Sequence, residues 1–387
     1  MIAATVGAIL LATITLYAVL GGADFGGGLW DLLAGGDRRG QAPRQLIDES
    51  ITPVWEANHV WLVFALVIFW TAFPVAFAAV MNAVALPIWL AVGGIVLRGA
   101  GFAFRKEAHG IGVQRALGAV FACSSLVTPF FMGTVIGAVA AGQIPGDARR
   151  ASLPAWTGAT PLLIGFLFVG ACGYLAAVFL IGEAARRDDR RLEAYFIRRA
   201  QAAGLVTGAL SLATLLELHN SDPGLWRHLT GRALPLVILA GVTGVAVLAL
   251  LTAGRPRGAR VLAALGVAAV IWGWGVAQYP ALLPGTAVTL SNAGAPHATL
   301  VALVVLFVAV VLIVGPSFAL LFMLQGRQVL RADHGVALAG GRPAGAGPAV
   351  RPPGTPGRPS PGSRAAAIGL VAVTALARAL GRRGRDR

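Results

Sequence analysis

Glu56 and His59 are the residues of this sequence best placed to move a proton. They stand three positions apart in ITPVWEANHVW (residues 51–61), so that in a helix they share one face. A carboxylate beside an imidazole can hold or pass a proton, and the polar groups of Trp55, Asn58 and Trp61 lie close by in sequence. The alternative interpretation is an interfacial cap, in which Glu56 only compensates a helix dipole.

A second acidic residue, Asp24, lies within the glycine-rich stretch GGADFGGGLWDLL (residues 21–33). Gly22 and Gly26 form a GxxxG pattern that, together with Gly27, permits close packing of helices. No Lys-Ser or Lys-Thr follows the glycines, so this is not a phosphate-binding loop. We expect Asp24 to be a buried carboxylate and a second station of a proton path, because ionisable residues at membrane depth are functional candidates. The alternative is a water-exposed Asp at a helix end.

Ligands for metal or haem are scarce. The two cysteines, Cys123 and Cys172, stand alone in apolar runs and exclude a CxxC site. His59 could ligate a haem, but a six-coordinate haem needs a second axial ligand. The other five histidines lie in loops, in the tail or at the start of the last apolar run. The sequence therefore predicts that this chain alone binds neither haem nor metal.

The composition excludes a soluble protein and predicts an all-α polytopic membrane protein. Apolar residues make up 57% of the 387 residues and charged residues 12%, with a mean hydropathy of +0.76. Soluble domains carry about 25% charged residues. The 31 Lys and Arg against 16 Asp and Glu would suggest nucleic acid in a soluble protein, but here they predict membrane topology, with no nucleic-acid partner.

Nine apolar runs are long enough to span a bilayer, which takes about 20 residues each. The stretch between Glu56 and Arg98 carries no charge and is twice that length, so we predict a helical hairpin that turns at Pro74. The first run lacks a basic start and a cleavage site, which favours a helix over a signal peptide. The nine runs are residues 3–20, 54–73, 76–97, 116–141, 160–182, 200–218, 233–253, 261–279 and 298–325.

The basic residues predict an N-terminus outside and a C-terminus in the cytoplasm. The odd-numbered loops hold 16 Lys and Arg, including Arg38, Arg39, Arg44 and Arg98, against 4 in the even-numbered loops. We predict a transmembrane domain over residues 1–330 and a basic, Pro/Gly-rich and mostly disordered cytoplasmic tail over 331–387. Within the tail, residues 365–380 are too short for a span and favour a surface helix or disorder.

The two N-terminal motifs resemble subunit II of cytochrome bd-type quinol oxidases. The resemblance rests on GGADFGGGLWDLL, followed by ITPVWEANHVWLVFALVIFWTAFPVAF, and on a Pro-rich break before the last apolar run. It covers about residues 1–330 and implies a multi-pass protein of the bacterial plasma membrane. It further implies a heterodimer with subunit I, and possible association with a small single-span subunit.

The resemblance also implies a function. The complex oxidises quinol, reduces dioxygen to water and takes protons from the cytoplasm, with haem b and haem d held by subunit I. Glu56 then stands at an acidic position, often Asp in the family, that serves proton access towards the haems, with Asp24 and His59 as further stations. Trp61 lies near an apolar oxygen route, with Trp55 and Asn58 on the same route or at the subunit interface. This chain would stabilise its partner and not be catalytic when isolated.

Two other functional classes remain open from the residues alone. A secondary transporter or ion channel could use Asp24, Glu56 and His59 to couple an ion to a substrate, although the inverted repeats typical of transporters are not visible. A purely structural scaffold would use the same buried polar groups only to lock the interface with its partner.

The charge distribution generates a topology prediction. A reporter fused after residue 340 should report the cytoplasm, and one fused near residue 288 should report the outside, because the basic loops stay on the cytoplasmic side. Alternating reporter activities in fusions along the chain measure this directly. The reverse pattern would show that one span has been miscounted.

Overall fold

The computed structural model describes residues 1–107, 111–146 and 151–326, and helices dominate it. An isolated bridge between Ala281 and Thr289 is the only β-pairing in the described part of the chain. The helices are α1 (Ile2–Leu32), α2 (Asp37–Ala72), α3 (Pro74–Ala83), α4 (Ala85–Glu107), α5 (Ile111–Ala140), α6 (Leu153–Thr157), α7 (Ala159–Arg186), α8 (Arg190–Ser221), α9 (Pro223–Thr230), α10 (Leu234–Thr252), α11 (Ala259–Gln278) and α12 (His297–Gly326).

The predicted all-α membrane fold is confirmed. Eight helices of the described chain are long and apolar enough to cross a bilayer, and a ninth candidate is the bent pair Asn58–Ala72 and Pro74–Ala83. The chain turns by 117° at Pro74, as predicted, because proline cannot donate the backbone hydrogen bond that would continue α2. The predicted third span over 76–97 is wrong in its start: residues 74–83 form the short helix α3, and the span itself is Ala85–Phe104.

Several basic residues assigned to loops lie in helices instead. Helix α2 begins at Asp37, so Arg38, Arg39 and Arg44 belong to an extension of that helix and not to a loop. Arg98 lies within α4 and is fully buried. The error has one cause: the positive-inside rule counts cations near span ends and does not distinguish a loop from a long helix. Without Arg98 the bias is still fifteen to four.

Helix α1 is held at its carboxyl end by arginines from two other helices. Arg44 donates to the carbonyl of Gly35 at 2.5 Å and pairs with Asp31 at 3.1 Å, and Arg199 of α8 donates to the carbonyl of Leu33 at 3.5 Å. Cations are favourable there because a helix carries partial negative charge at its carboxyl end. The indole of Trp30 donates to the carbonyl of Gly173 at 2.8 Å and ties α1 to α7.

Two loops contact the chain on either side of α3, the short helix that follows the turn at Pro74. The backbone N–H of Ala295 donates to the carbonyl of Ala72 at 2.8 Å, and that of Ser152 donates to the carbonyl of Ala83 at 2.8 Å. Buried residues of the segments before α6 and before α12, Ile144 and Leu283, join the same apolar cluster as α2 and α3. The turn after α2 is therefore anchored by two separate loops.

The described chain forms one compact unit over Met1–Pro316, and the last turns of α12 belong to a second unit that starts at Ser317. The predicted tail over 331–387 lies outside the described residues, and the proposed boundary at residue 330 stays a prediction.

Close approach of α1 and α7 at Gly26 generates a stability prediction. A Cβ at Gly26 would overlap the carbonyl group of Cys172 and approach the Cβ of Ala176. Gly26→Ala should therefore cost about 1–3 kcal/mol of stability, the usual cost of overpacking, despite the better helix propensity of Ala. The measurement is the temperature at which purified protein in detergent loses its monodisperse peak.

The matched control is Gly241→Ala in α10, an exposed helical glycine with open space where a Cβ would stand. This variant should be as stable as the wild type or slightly more stable. Equal melting of the Gly26 and Gly241 variants would contradict the close packing of α1 on α7.

Candidate functional site: a buried ion pair and its neighbours

Asp24 of α1 and Arg98 of α4 form a bidentate ion pair in the interior of the helix bundle. Nη1 of Arg98 lies 2.7 Å from Oδ2 of Asp24, and Nη2 lies 2.7 Å from Oδ1. Both side chains are 0% exposed. Parallel N–H···O bonds between a guanidinium and a carboxylate are the strongest hydrogen-bonding geometry available to these groups.

The guanidinium of Arg98 makes further hydrogen bonds and two aromatic contacts. Nη2 of Arg98 donates to the backbone carbonyl of Asp24 at 3.0 Å, and Nε donates to Oγ of Ser125 in α5 at 2.9 Å. The rings of Phe25 and Phe121 lie with centroids 5.0 and 4.9 Å from its Cζ, within the range of cation–π attraction. Three helices, α1, α4 and α5, thus meet at one cation.

Small residues make this meeting possible. A Cβ at Gly28 would overlap Oγ of Ser125, and a Cβ at Gly101 would stand 3.0 Å from the carbonyl oxygen of Leu117. A Cβ at Gly22 would stand 3.0 Å from Leu175 of α7, and Gly27 is buried. The glycines around Asp24 therefore bring backbones close enough for short side chains to reach the ion pair.

Tyr17 connects this region to His59. The Tyr17 ring packs edge-to-face against Phe25, with centroids 6.4 Å apart, and against the imidazole of His59, with centroids 6.5 Å apart. Its hydroxyl donates to the sulfur of Met132 at 3.9 Å. Trp61 packs, partly buried, against the cluster of Tyr17, Phe25 and Cys172. The structure thus brings Asp24, His59 and Trp61 around one apolar cluster.

Asn58 is fully buried, and neither its Oδ1 nor its Nδ2 has a hydrogen-bond partner in the described chain. Thr128 in α5 is also 0% exposed, and its hydroxyl likewise has no hydrogen-bond partner in the described chain. Buried amides are almost always hydrogen-bonded, so this one is a place where an internal water or another ligand would bind favourably.

The side chains of Glu56 and Trp55 lie outside the described residues. The backbone at both positions is helical and belongs to α2. The expected i,i+3 relation of Glu56 and His59 on one helix face is therefore consistent with the backbone, and the roles assigned to Glu56 and Trp55 stay predictions.

Arg98, Ser125 and Tyr17 are the contributors that sequence reasoning missed. One signal could have revealed Arg98: six uncharged residues, GAGFAF, separate it from Arg105, so it lies more than one helical turn inside an apolar stretch. Ser125 and Tyr17 carry no comparable signal, because a serine or a tyrosine in a membrane helix is common.

The residues around His59 do not fit a haem. Its imidazole packs on Tyr17, and the nearby sulfur of Met132 accepts the Tyr17 hydroxyl. The other histidines of the described chain, His219, His228 and His297, lie at the ends of α8, α9 and α12. The described residues also hold no group of three His, Cys, Asp or Glu side chains suited to a metal ion. Among the histidines of the described chain, His59 is the one that lies well inside a long apolar helix, so a second imidazole for a haem is not supplied beside it in this way.

Comparison with known proteins identifies the family. The model of the family described as cytochrome bd terminal oxidase subunit II matches residues 2–325. The chain belongs to this family. It is 24% identical over 339 residues to cytochrome bd-I ubiquinol oxidase subunit 2 of Escherichia coli K12, covering 77% of this chain and 86% of that protein.

Two further proteins are similar. Cytochrome bd ubiquinol oxidase subunit 2 of Bacillus subtilis is 28% identical over 132 residues, which is 34% of this chain and 38% of that protein. The bd oxidase structure from Geobacillus thermodenitrificans contains a chain that superposes with a TM-score of 0.65 at 22% identity, over 84% of this chain and 98% of that chain. The latter likeness supports the fold.

These findings confirm the predicted class of function. The chain is a subunit of a quinol-oxidising terminal oxidase and a multi-pass protein of the bacterial plasma membrane. Because the family is subunit II of a cytochrome oxidase, membership also implies a subunit I partner and haem in the complex. The residue roles predicted from sequence stay predictions.

Proposed function

We propose that this chain pairs with a subunit I that holds haem b and haem d, and that it supplies part of the path by which protons reach those haems. The complex oxidises quinol and reduces dioxygen to water, and a small single-span subunit joins it. The observation that carries the proposal is the family match over residues 2–325. The scarcity of histidines inside the apolar runs supports the assignment of the haems to the partner.

Dioxygen reduction consumes protons, and these protons must cross protein that excludes bulk water. Glu56 and His59 lie one helical turn apart on α2, and His59 contacts the same apolar cluster as Asp24 through Tyr17. A carboxyl and an imidazole in this setting can accept and release a proton without leaving a lasting charge in the apolar interior. Glu56 receives the proton in this proposal, and His59 is its neighbour along the path.

Asn58 stands two positions from Glu56 and so faces the other side of α2, but its buried amide offers both a donor and an acceptor with no partner in the described chain. A water molecule held between these atoms would satisfy them and would give the path a further polar station, separate from Glu56. Trp55 and Trp61 flank the same turns of α2, where we place an apolar route for oxygen or the contact with subunit I.

The proposal predicts the effect of removing the acid at position 56. Glu56→Gln keeps size and hydrogen bonding but cannot ionise, so quinol oxidase turnover per haem should fall by at least about tenfold, since a positioned proton-transfer group typically contributes about 100-fold or more. The measurement is oxygen consumption by the purified complex, with haem content determined from the same sample and expected to be near normal.

Glu56→Asp is the matched control, since it retains an ionisable carboxyl and should keep most of the turnover. If the Gln variant turns over as fast as the wild type at matched haem content, Glu56 is only a helix cap. A parallel loss in both variants would point to geometry instead of ionisation.

The assignment of haem to subunit I yields a second prediction. His59→Ala should leave the haem spectrum of the complex intact, because in this proposal subunit I supplies the axial ligands of every haem. The measurement is the reduced-minus-oxidised absorption spectrum of the purified complex. Loss of one haem component in this variant, with the others retained, would overturn the division of labour between the subunits.

A further inference from the structure

The position of Asp24 raises the question of whether it carries protons. Asp24 lies eight residues before Leu32, the last residue of α1, and thus about 12 Å inside that end of the helix. Tyr17 packs on His59, and Arg44 pairs with Asp31, so α1 and α2 run antiparallel, and Asp24 lies between the levels of these two contacts. A proton on its way from the Asp31 end to Glu56 must pass the level of Asp24.

The hydrogen bonds of Arg98 leave Asp24 little freedom to act as a relay. A guanidinium has five N–H donors, and the four donors engaged here bind the two carboxylate oxygens of Asp24, its backbone carbonyl and Ser125. Both carboxylate oxygens therefore already accept a charge-assisted bond at 2.7 Å. A proton on either oxygen would neutralise the carboxylate and so weaken both of these charge-assisted bonds.

Protonation would also leave a full positive charge without a counter-charge. Arg98 has no exposed surface, and the rings of Phe25 and Phe121 lie against it. An arginine cannot release its own proton in a protein, so the loss of the carboxylate charge could not be offset on the other side. Breaking a buried pair by removing one partner is far more costly than removing both charges together.

We infer that Arg98 is a positioning residue for Asp24, and that the two side chains form a fixed ion-pair clamp on α1, α4 and α5 which the proton path bypasses. This inference rests on the proposed function for the existence of a proton path. It assigns Asp24 a role different from the relay expected from the sequence. It also explains the buried Ser125, whose hydroxyl oxygen accepts a hydrogen bond from Nε of Arg98 and so helps to hold the guanidinium in place.

The test removes the two charges one at a time and together, in the assembled complex. Asp24→Asn and Arg98→Gln should each lower the yield of haem-loaded complex roughly tenfold or more, because each leaves one buried charge unpaired. The double variant Asp24→Asn/Arg98→Gln should recover the yield to within about twofold of the wild type. Its turnover per haem and the pH profile of that turnover should match the wild type.

Glu49→Gln is the matched control. Glu49 pairs with Arg187 at 2.8 Å, but the two side chains are 39% and 27% exposed, so losing that pair should not change the yield. Arg98→Lys retains the cation but not the paired N–H bonds, so its yield should lie between those of Arg98→Gln and the wild type, with an unchanged pH profile.

Three outcomes would overturn the inference. A double variant that assembles but loses turnover, or shows a shifted pH profile, would make Asp24 a proton carrier. A double variant that assembles no better than the single variants would show that charge compensation is not what Arg98 provides. Single variants with normal yield would show that there is no clamp. Recovery of assembly does not depend on Glu56, so failure of the proton-path proposal at Glu56→Gln is distinguishable from all three.

Discussion

Asp24 and Arg98 can lie in the apolar interior of a membrane protein only because they lie against each other. An isolated charge in such a place costs many kcal/mol, and only a close counter-charge with further hydrogen bonds offsets that cost. The pair is 74 residues apart in sequence and joins α1 to α4, while Ser125 adds α5. The relative placement of these three helices is therefore a precondition for the ion pair, and the ion pair penalises any other placement.

The glycine-rich sequence around Asp24 follows from the same constraint. Lipid gives helices no hydrophobic reason to associate, so close packing and buried polar contacts must supply the attraction. Gly26 allows the backbone of α1 to meet that of α7 at Cys172, and Gly28 leaves room for Ser125. A larger residue at either position would separate the helices and lengthen bonds whose strength depends on short distances. Motif and ion pair are thus two parts of one packing solution.

Much of the fold is readable from sequence because the bilayer imposes lengths and polarity on every span. The uncharged stretch between Glu56 and Arg98 and the proline within it are sufficient to predict the turn at Pro74. The GxxxG at Gly22 and Gly26 likewise predicts close packing, although not the identity of α7 as the partner helix. These features are local, or are set by the membrane, and so they leave a local signal.

The chemistry at Arg98 is not readable in the same way. Its partner is fixed by tertiary packing, and a cation near the end of a span resembles the loop cations that determine topology. The burial of Asp24 can therefore be predicted from its own motif. Its counter-charge, Arg98, lies in another helix and cannot be predicted from that motif. The unpaired amide of Asn58 was equally invisible, because whether an amide finds a partner depends on every helix around it.

A buried polar group that is hydrogen-bonded within the protein differs in its use from one that lacks a hydrogen-bond partner there. Both oxygens of Asp24 accept strong bonds from Arg98, so protonation there would give up the attraction of the pair; such a group suits holding helices in place. The amide of Asn58 has bonds to offer within the described chain and can exchange partners with a mobile water at little cost. Proton conduction needs groups that change partners. We therefore place the conducting role proposed for this subunit on the segment of α2 that carries Glu56, Asn58 and His59, and the holding role on the contact of α1 with α4.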